Sequence, residues 1–250
     1  MIVLKSEREI EVMKTACRIS AEALKKAGEA VEPGISTAQI DELIRKFIEK
    51  SGATPTFLGY NGFPASACIS INNEVIHGIP TKDRIIKSGD LVSIDLGATI
   101  NGFNGDTAAT FAAGEISEEA KRLMETTEQS LYEGIKAAVP SGRLGDIGNA
   151  IQSYCEKHGY SVVREFTGHG IGTNLHEDPA VPNFGTKGRG VRLAPGMTLA
   201  IEPMINIGKA AIRKMPDNWT IVTADGKLSA HFEHTIAITS NGPIILTECG

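Results

Sequence analysis

The sequence predicts an α+β chain made of two related halves that share one antiparallel sheet. Four segments carry apolar residues at helical spacing, two strand-like segments meet at an Asn-Gly turn, and one half of the chain matches the other in order.

The first helix is SEREIEVMKTACRISAEALKKAGEAV, opened by Ser6 and Glu9 as a capping box. A second starts after Pro33-Gly34, capped by Ser36 or Thr37, and ends near Gly52. LVSIDLGATINGFNGDTAATF, residues 91–111, reads as two strands around Asn101-Gly102, a two-residue hairpin turn. SEEAKRLMETTEQSLYEGIKAAV predicts a third helix, and a fourth follows Pro140 and ends near Gly159. MTLAIEP and AHFEHTIAIT are the strand patterns of the second half.

The second and fourth helices are related. A shift of 107 residues lays Pro33 on Pro140, Ile40 on Ile147, Ile44 on Ile151, Glu49 on Glu156, Lys50 on Lys157 and Gly52 on Gly159. Carried on, it lays Gly89 on Gly196 and Asp95 on Glu202. A shift of 99 lays His77 on His176 and Pro80 on Pro179, and a shift of 127 lays Asp106 on Glu233. The last shift implies an insertion of about twenty residues around 204–223. The expected organisation is a single domain over 1–250 with half-repeats at roughly 33–111 and 140–240, and functional residues meeting at their shared centre.

Composition narrows the class. With 41% hydrophobic and 22% charged residues, the 250-residue chain can bury a substantial core. A net charge of −5 without a basic run argues against a nucleic-acid or anionic-membrane partner. No window is apolar enough to span a bilayer, and MIVLKSEREIEVMK is charged from Lys5 onward, unlike a secretory signal, so a cytoplasmic location is expected. Cys17, Cys68, Cys155 and Cys249 lack CxxC spacing and read as reduced, buried thiols.

The hairpin raises a chemical question. Around an Asn101-Gly102 turn, facing residues have numbers summing to 203, so Asp106 lies opposite Gly97 and Asp95 opposite Ala108. Asp95 and Asp106 are then diagonal neighbours on one face, roughly 7 Å apart. At an effective dielectric near 20, two such charges repel by about 2 kcal/mol. A bound cation offsets that directly, whereas a shared proton is a partial remedy. Glu202 ends MTLAIEP, Glu233 sits in AHFEHTIAIT, and His169 lies between Gly168 and Gly170 in TGHGIG. Two Asp, two Glu and one His form an oxygen-rich set whose charge balances two divalent ions; it suits Mn, Fe or Co, with Zn admissible, better than a thiolate zinc site. HEDPA lacks the second histidine of HExxH, and GHGIG does not match GxGxxG.

CISINNEVIHGIP, SIDLGATINGFNGD, EFTGHGIGTNLHEDP, LAIEPM and AHFEHT together resemble the methionine aminopeptidases of the pita-bread metallopeptidase family over essentially the whole chain. The resemblance is to the short bacterial type I form, with neither an N-terminal zinc-binding extension nor the long helical insertion of type II. It implies a pita-bread fold, a pseudo-two-fold antiparallel sheet with helices on its outer face. It also implies that Asp95 chelates one divalent ion, His169 and Glu202 bind another, and Asp106 and Glu233 bridge the two. A water between the ions would be the nucleophile, with Glu202 as its proton acceptor. His176 would stabilise the oxyanion, and His77 would position the peptide backbone and leaving amine. The substrate's free amine would sit at the Asp95 ion.

The resemblance assigns the methionine slot to Phe57, Tyr60, Phe63, Cys68, Leu175 and Trp219, alongside His77 and His176. Phe57, Phe63, Phe166 and Leu175 depart from the Cys, Tyr, Tyr and Phe often seen there, which alters pocket shape rather than metal chemistry. Asn72, Glu74 and Ser229 match a monovalent-cation site for Na or K. The implied partners are N-termini of nascent polypeptides near the ribosome, and the implied state is a monomer. Since the family removes methionine only before small residues, Met1 followed by Ile2 is expected to be retained. Two rivals stand beside this reading. An Xaa-Pro hydrolase of the superfamily would carry an extra N-terminal domain, and a non-enzymatic binding protein of this fold would lack metal ligands.

Overall fold

The computed structural model describes residues 1–248; Cys249 lies outside the described residues. The first half contains α1 (Glu7–Glu29), α2 (Thr37–Lys50), β1 (Thr54–Pro55), β2 (Ala67–Ile71), β3 (Glu74–Ile76), β4 (Leu91–Ile100) and β5 (Phe103–Ala112). The second contains α3 (Glu118–Ala137), α4 (Leu144–Lys157), β6 (Ser161–Val162), β7 (Gly168–Gly170), β8 (Glu177–Val181) and β9 (Thr198–Ile201). It continues with β10 (Met204–Asn206), β11 (Ile212–Lys214), β12 (Ile221–Thr223), β13 (Ser229–His231), β14 (Glu233–Thr239) and β15 (Gly242–Ile245). The main sheet runs β1-β4-β5-β14-β9-β7-β8, with β2 also on β4 and β15 also on β14. Its strand pairs are antiparallel, and the β5–β14 seam joins the halves.

The local signals hold. Ser6 and Ser36 cap their helices through reciprocal boxes with Glu9 and Gln39. The β4–β5 ladder pairs Asp95 with Ala108 and Gly97 with Asp106, as the Asn101-Gly102 turn requires. Val92, Ile94 and Leu96 pack in one core with α1 and α2. By alternation, Ser93, Asp95 and Gly97 face the opposite side. In the second half, α3 and α4 bury Leu123, Ile147 and Ile151 against Leu199, Ile201 and Ile236. Each such isoleucine contributes about 1.5–3 kcal/mol on burial, so these stripes hold the helices on the outer face.

The repeat is visible in the hydrogen-bond ladders. Ser36 bridges Ile85 and, 107 residues on, Arg143 bridges Arg192. Thr54 and Pro55 face Thr99 and Ala98, just as Ser161 and Val162 face Asn206 and Ile205. Gly89 and Gly196 both adopt φ 94°. The outgoing strand differs from expectation. Gly97 faces Asp106, and 107 residues beyond Gly97 the residue Met204 faces His231, so the ladder shift there is 125 rather than 127. Matching acid to acid follows chemistry, whereas the ladder follows backbone. The two-residue slip preserves the face, so Glu233 still points to the centre. The insertion occupies the place of the Asn101-Gly102 turn and forms β11 and β12, with β12 pairing β3 of the first half.

Candidate metal centre

Backbone contacts across the seam set the acids. The Asp106 amide donates to Thr235 Oγ1 at 3.2 Å, and that hydroxyl donates to the Asp106 carbonyl at 2.8 Å. Thr107 Oγ1 donates to the Glu233 carbonyl at 2.9 Å. His169 is the middle residue of β7. Its flanking glycines are required for close approach: a Cβ would come within 2.3 Å of the Ala200 carbonyl oxygen at Gly168, and within 2.2 Å of that of Asp178 at Gly170. His169 Nδ1 can only donate to the Gly170 carbonyl 2.9 Å away, which leaves Nε2 a bare acceptor. Nε2 sits 3.6 Å from Asp106 Oδ2 and 3.7 Å from Glu202 Oε1.

Asp106, His169 and Glu233 each offer a ligand atom within 4.8 Å of one another. Asp95 and Glu202 line the same cavity outside that tightest trio. Asp95 Oδ1, Asp106 Oδ1 and Glu233 Oε1 are buried without a hydrogen-bond partner. Burial, compounded by neighbouring acids, pushes Asp95, Glu202 and Glu233 well above the carboxylate range. Burial raises Asp106 to about 7 and lowers His169 to about 4, keeping the imidazole neutral. Orphaned carboxylate oxygens beside a bare imidazole nitrogen are what a divalent cation satisfies, so the donor set fits such ions.

A cavity of about 170 Å³ opens onto these acids. Phe57, Phe63, Cys68, Leu175 and Trp219 form its apolar wall, and Tyr60, Asn61, His77 and His176 its polar rim. Phe63 meets Trp219 edge-on with ring centroids 5.1 Å apart. His77 adopts φ 60°, a left-handed conformation that costs a non-glycine residue of order 1–3 kcal/mol and recurs at functional sites. Phe166 packs edge-on against the His77 ring rather than lining the cavity. Tyr60 Oη and His176 Nδ1 lie 2.8 Å apart. Lys5 forms a buried ion pair with Glu177, anchoring the residue after His176.

The family model for metallopeptidase family M24 matches residues 11–240. The chain belongs to metallopeptidase family M24. It is 56% identical to the methionine aminopeptidase of Clostridium perfringens over 247 residues, covering 99% of each chain. It is 52% identical to that of Clostridium acetobutylicum over 249 residues, covering 100% of each. The crystal structure of methionine aminopeptidase from Thermotoga maritima superposes with a TM-score of 0.98 at 44% identity, covering 100% of both chains. The fold is the pita-bread fold, and as an M24 metallopeptidase the chain is a metal-dependent hydrolase using divalent ions.

All five expected ligands and all eight expected substrate-contacting residues of this M24 chain line one cavity. Asn72, Glu74 and Ser229 lie elsewhere, between β2, β3 and β13. Ser229 N donates to the Asn72 carbonyl at 2.9 Å. The three side chains already have protein partners: Asn72 with Asp90 and Leu91 N, Glu74 with Arg84 and Ile71 N, Ser229 with Asn206. Sequence reasoning missed Asn61 and, more consequentially, His231. The latter is buried, with Nε2 3.6 Å from Glu202 Oε2 and no hydrogen-bond partner. Its place two residues before Glu233, hence on the same face, was the available signal.

Proposed function

We propose that this chain removes the N-terminal methionine from nascent proteins and peptides whose second residue is small. The observation that carries the reading is a single cavity with orphaned acidic ligand atoms at its floor and an apolar wall capped by Trp219. Asp95, Asp106, His169, Glu202 and Glu233 would hold the metal, the four carboxylates balancing the charge of two divalent ions of Co, Mn, Fe or Zn. When bound, such ions supply Lewis acidity that polarises the scissile carbonyl and lowers the pKa of water. Glu202 accepts the attacking water's proton. With the Tyr60 hydroxyl, 2.8 Å from His176 Nδ1, acting as the donor, the ring proton would sit on Nε2 and stabilise the oxygen that gains charge. His77, held in its strained conformation, positions the peptide backbone and leaving amine. The substrate's free amine lies toward Asp95, which restricts cleavage to the first peptide bond. The methionine side chain enters the slot of Phe57, Tyr60, Phe63, Cys68, Leu175 and Trp219.

The chain acts as one catalytic domain over 1–250, with half-repeats at 33–111 and 140–240, and as a monomer, since one chain supplies every ligand. Its place of work is the cytoplasm, near the ribosome, where nascent N-termini appear. A monovalent ion, Na or K, at Asn72, Glu74 and Ser229 would be held by main-chain oxygens, because the side chains are engaged.

The test is to strip the metal, restore Mn, Fe, Co or Zn separately without oxygen, and compare three peptides. Methionine is expected from Met-Ala-Ser and not from Met-Ile-Ser, with no alanine from Ala-Pro-Ser. Cleavage of Ala-Pro-Ser would favour an Xaa-Pro hydrolase, and silence with every metal would favour a binding protein. His176→Ala should lower kcat by about 10²–10³-fold with KM little changed, as loss of one oxyanion donor does. A kcat within threefold of the parent enzyme would remove His176 from the mechanism.

A further inference from the structure

The ladder that places His231 in the second half where Asp106 stands in the first also places it diagonal to Glu202, as Asp106 is diagonal to Asp95. The duplicated frame therefore builds an acid–acid pair once and an acid–imidazole pair once. His231 is pinned across the seam: its amide donates to Thr110 Oγ1 at 2.9 Å, and that hydroxyl donates to the His231 carbonyl at 2.9 Å. Ser93 Oγ, 2.8 Å from Thr110 Oγ1, supplies the remaining hydrogen bond. The imidazole is buried, and the acid oxygen facing its Nε2 is Glu202 Oε2 at 3.6 Å. Glu202 Oε1 faces His169 instead. Each oxygen of this carboxylate thus has its own histidine.

We propose that His231 is a positioning residue for Glu202, its Nε2–H directed at Oε2 3.6 Å away so that Oε1 is left for the metal and the attacking water. This rests on the M24 peptidase reading. A bare Nε2 would set its lone pair against those of Oε2, so the tautomer that fits carries the proton on Nε2. The same geometry separates His231 from the ligands. Its Nε2 faces Glu202 Oε2 at 3.6 Å, the carboxylate oxygen that does not face His169, so it acts behind Glu202 rather than on an ion. An orienting hydrogen bond to a ligand carboxylate fixes which oxygen is presented, and its loss typically costs 10–100-fold in metal affinity or activity.

Three measurements test this on the full chain. Long-range proton–nitrogen spectra of the metal-free protein, with His231 identified by its loss in His231→Gln, should show the proton on Nε2. Calorimetric titration with Mn should show binding weakened about 10–100-fold in His231→Leu and largely recovered in His231→Gln, whose amide can donate. Release of methionine from Met-Ala-Ser should follow the same order through kcat, with KM little changed. A proton on Nδ1, or a folded His231→Leu protein with parental Mn affinity and kcat, would overturn the assignment. So would His231→Gln failing as badly as His231→Leu while both melt like the parent. Parental protein that binds Mn yet releases no methionine would sink the peptidase reading, while the spectra and calorimetry still decide His231.

Discussion

Glu202→Gln is expected to keep the fold and lose about 10²–10⁴-fold in turnover of Met-Ala-Ser, the range for removing a positioned proton acceptor. The amide matches the carboxyl in shape but neither carries charge to a cation nor accepts the water's proton. The same substitution should raise the melting temperature of the metal-free protein. Glu202 is held above the carboxylate range by burial and by Asp95 and Asp106, so a neutral replacement relieves a repulsion that the folded state otherwise carries. A more stable yet inactive protein is the signature of a site whose chemistry opposes stability. Turnover, bound metal by elemental analysis and thermal melting are the readouts. Activity within tenfold of the parent would exclude Glu202 as the proton acceptor.

The second expected result concerns pH. In the metal-free protein, burial raises Asp106 from 3.8 to about 7 and pushes Asp95, Glu202 and Glu233 well above their ordinary values. A carboxyl whose folded pKa exceeds its unfolded one favours folding while protonated. Its contribution is complete below the unfolded pKa and is lost as pH rises through the folded pKa. The buried and half-buried histidines act in the opposite sense. Burial lowers His77, His169 and His234 to about 4 and His231 to about 3, so their contribution is present above the ordinary 6.5 and lost as pH falls through those values. Between pH 4 and 6.5 the two sets oppose each other. From pH 7 upward the histidines no longer oppose the acids, and metal-free stability should go on falling with pH as the acids held furthest above their ordinary values ionise. Mn or Co, which bind the ionised carboxylates, should abolish the fall, so stabilisation by metal should grow with pH. Melting curves from pH 5 to 9 with and without metal check this; parallel curves would mean that the acids do not carry raised pKa values.

Much of the frame was legible because it is written in local chemistry. Ser6 and Ser36 announce their helices, and Asn101-Gly102 sets the register that places Asp95 diagonal to Asp106. The repeat at 107 was legible because both copies kept the glycines and isoleucines that their turns and helix faces require. The remainder depends on distant partners. Matching Asp106 to Glu233 by residue type hid a ladder slip of two, which can be seen only from Met204 facing His231. The strand that carries His169 was not legible, because its flanking glycines show their use only where β7 lies against β8 and β9. His231 went unread because its significance lies in Glu202, across the sheet on another strand.

The two halves differ where each has grown. The ladder shift falls from 107 at β1 and β6 to 99 at β2 and β7, so the first half is eight residues longer between those strands. There lie Phe57, Tyr60 and Phe63. The second half is longer at the turn that Asn101-Gly102 closes in the first, and there lies Trp219, which reaches Phe63 and His77. The parts held in common carry the acids, and the parts held by one half alone carry most of the apolar wall. Reactivity and selectivity therefore occupy separable inheritance. A change of preferred side chain can be confined to two excursions of the chain, leaving the twofold-related cradle beneath them untouched.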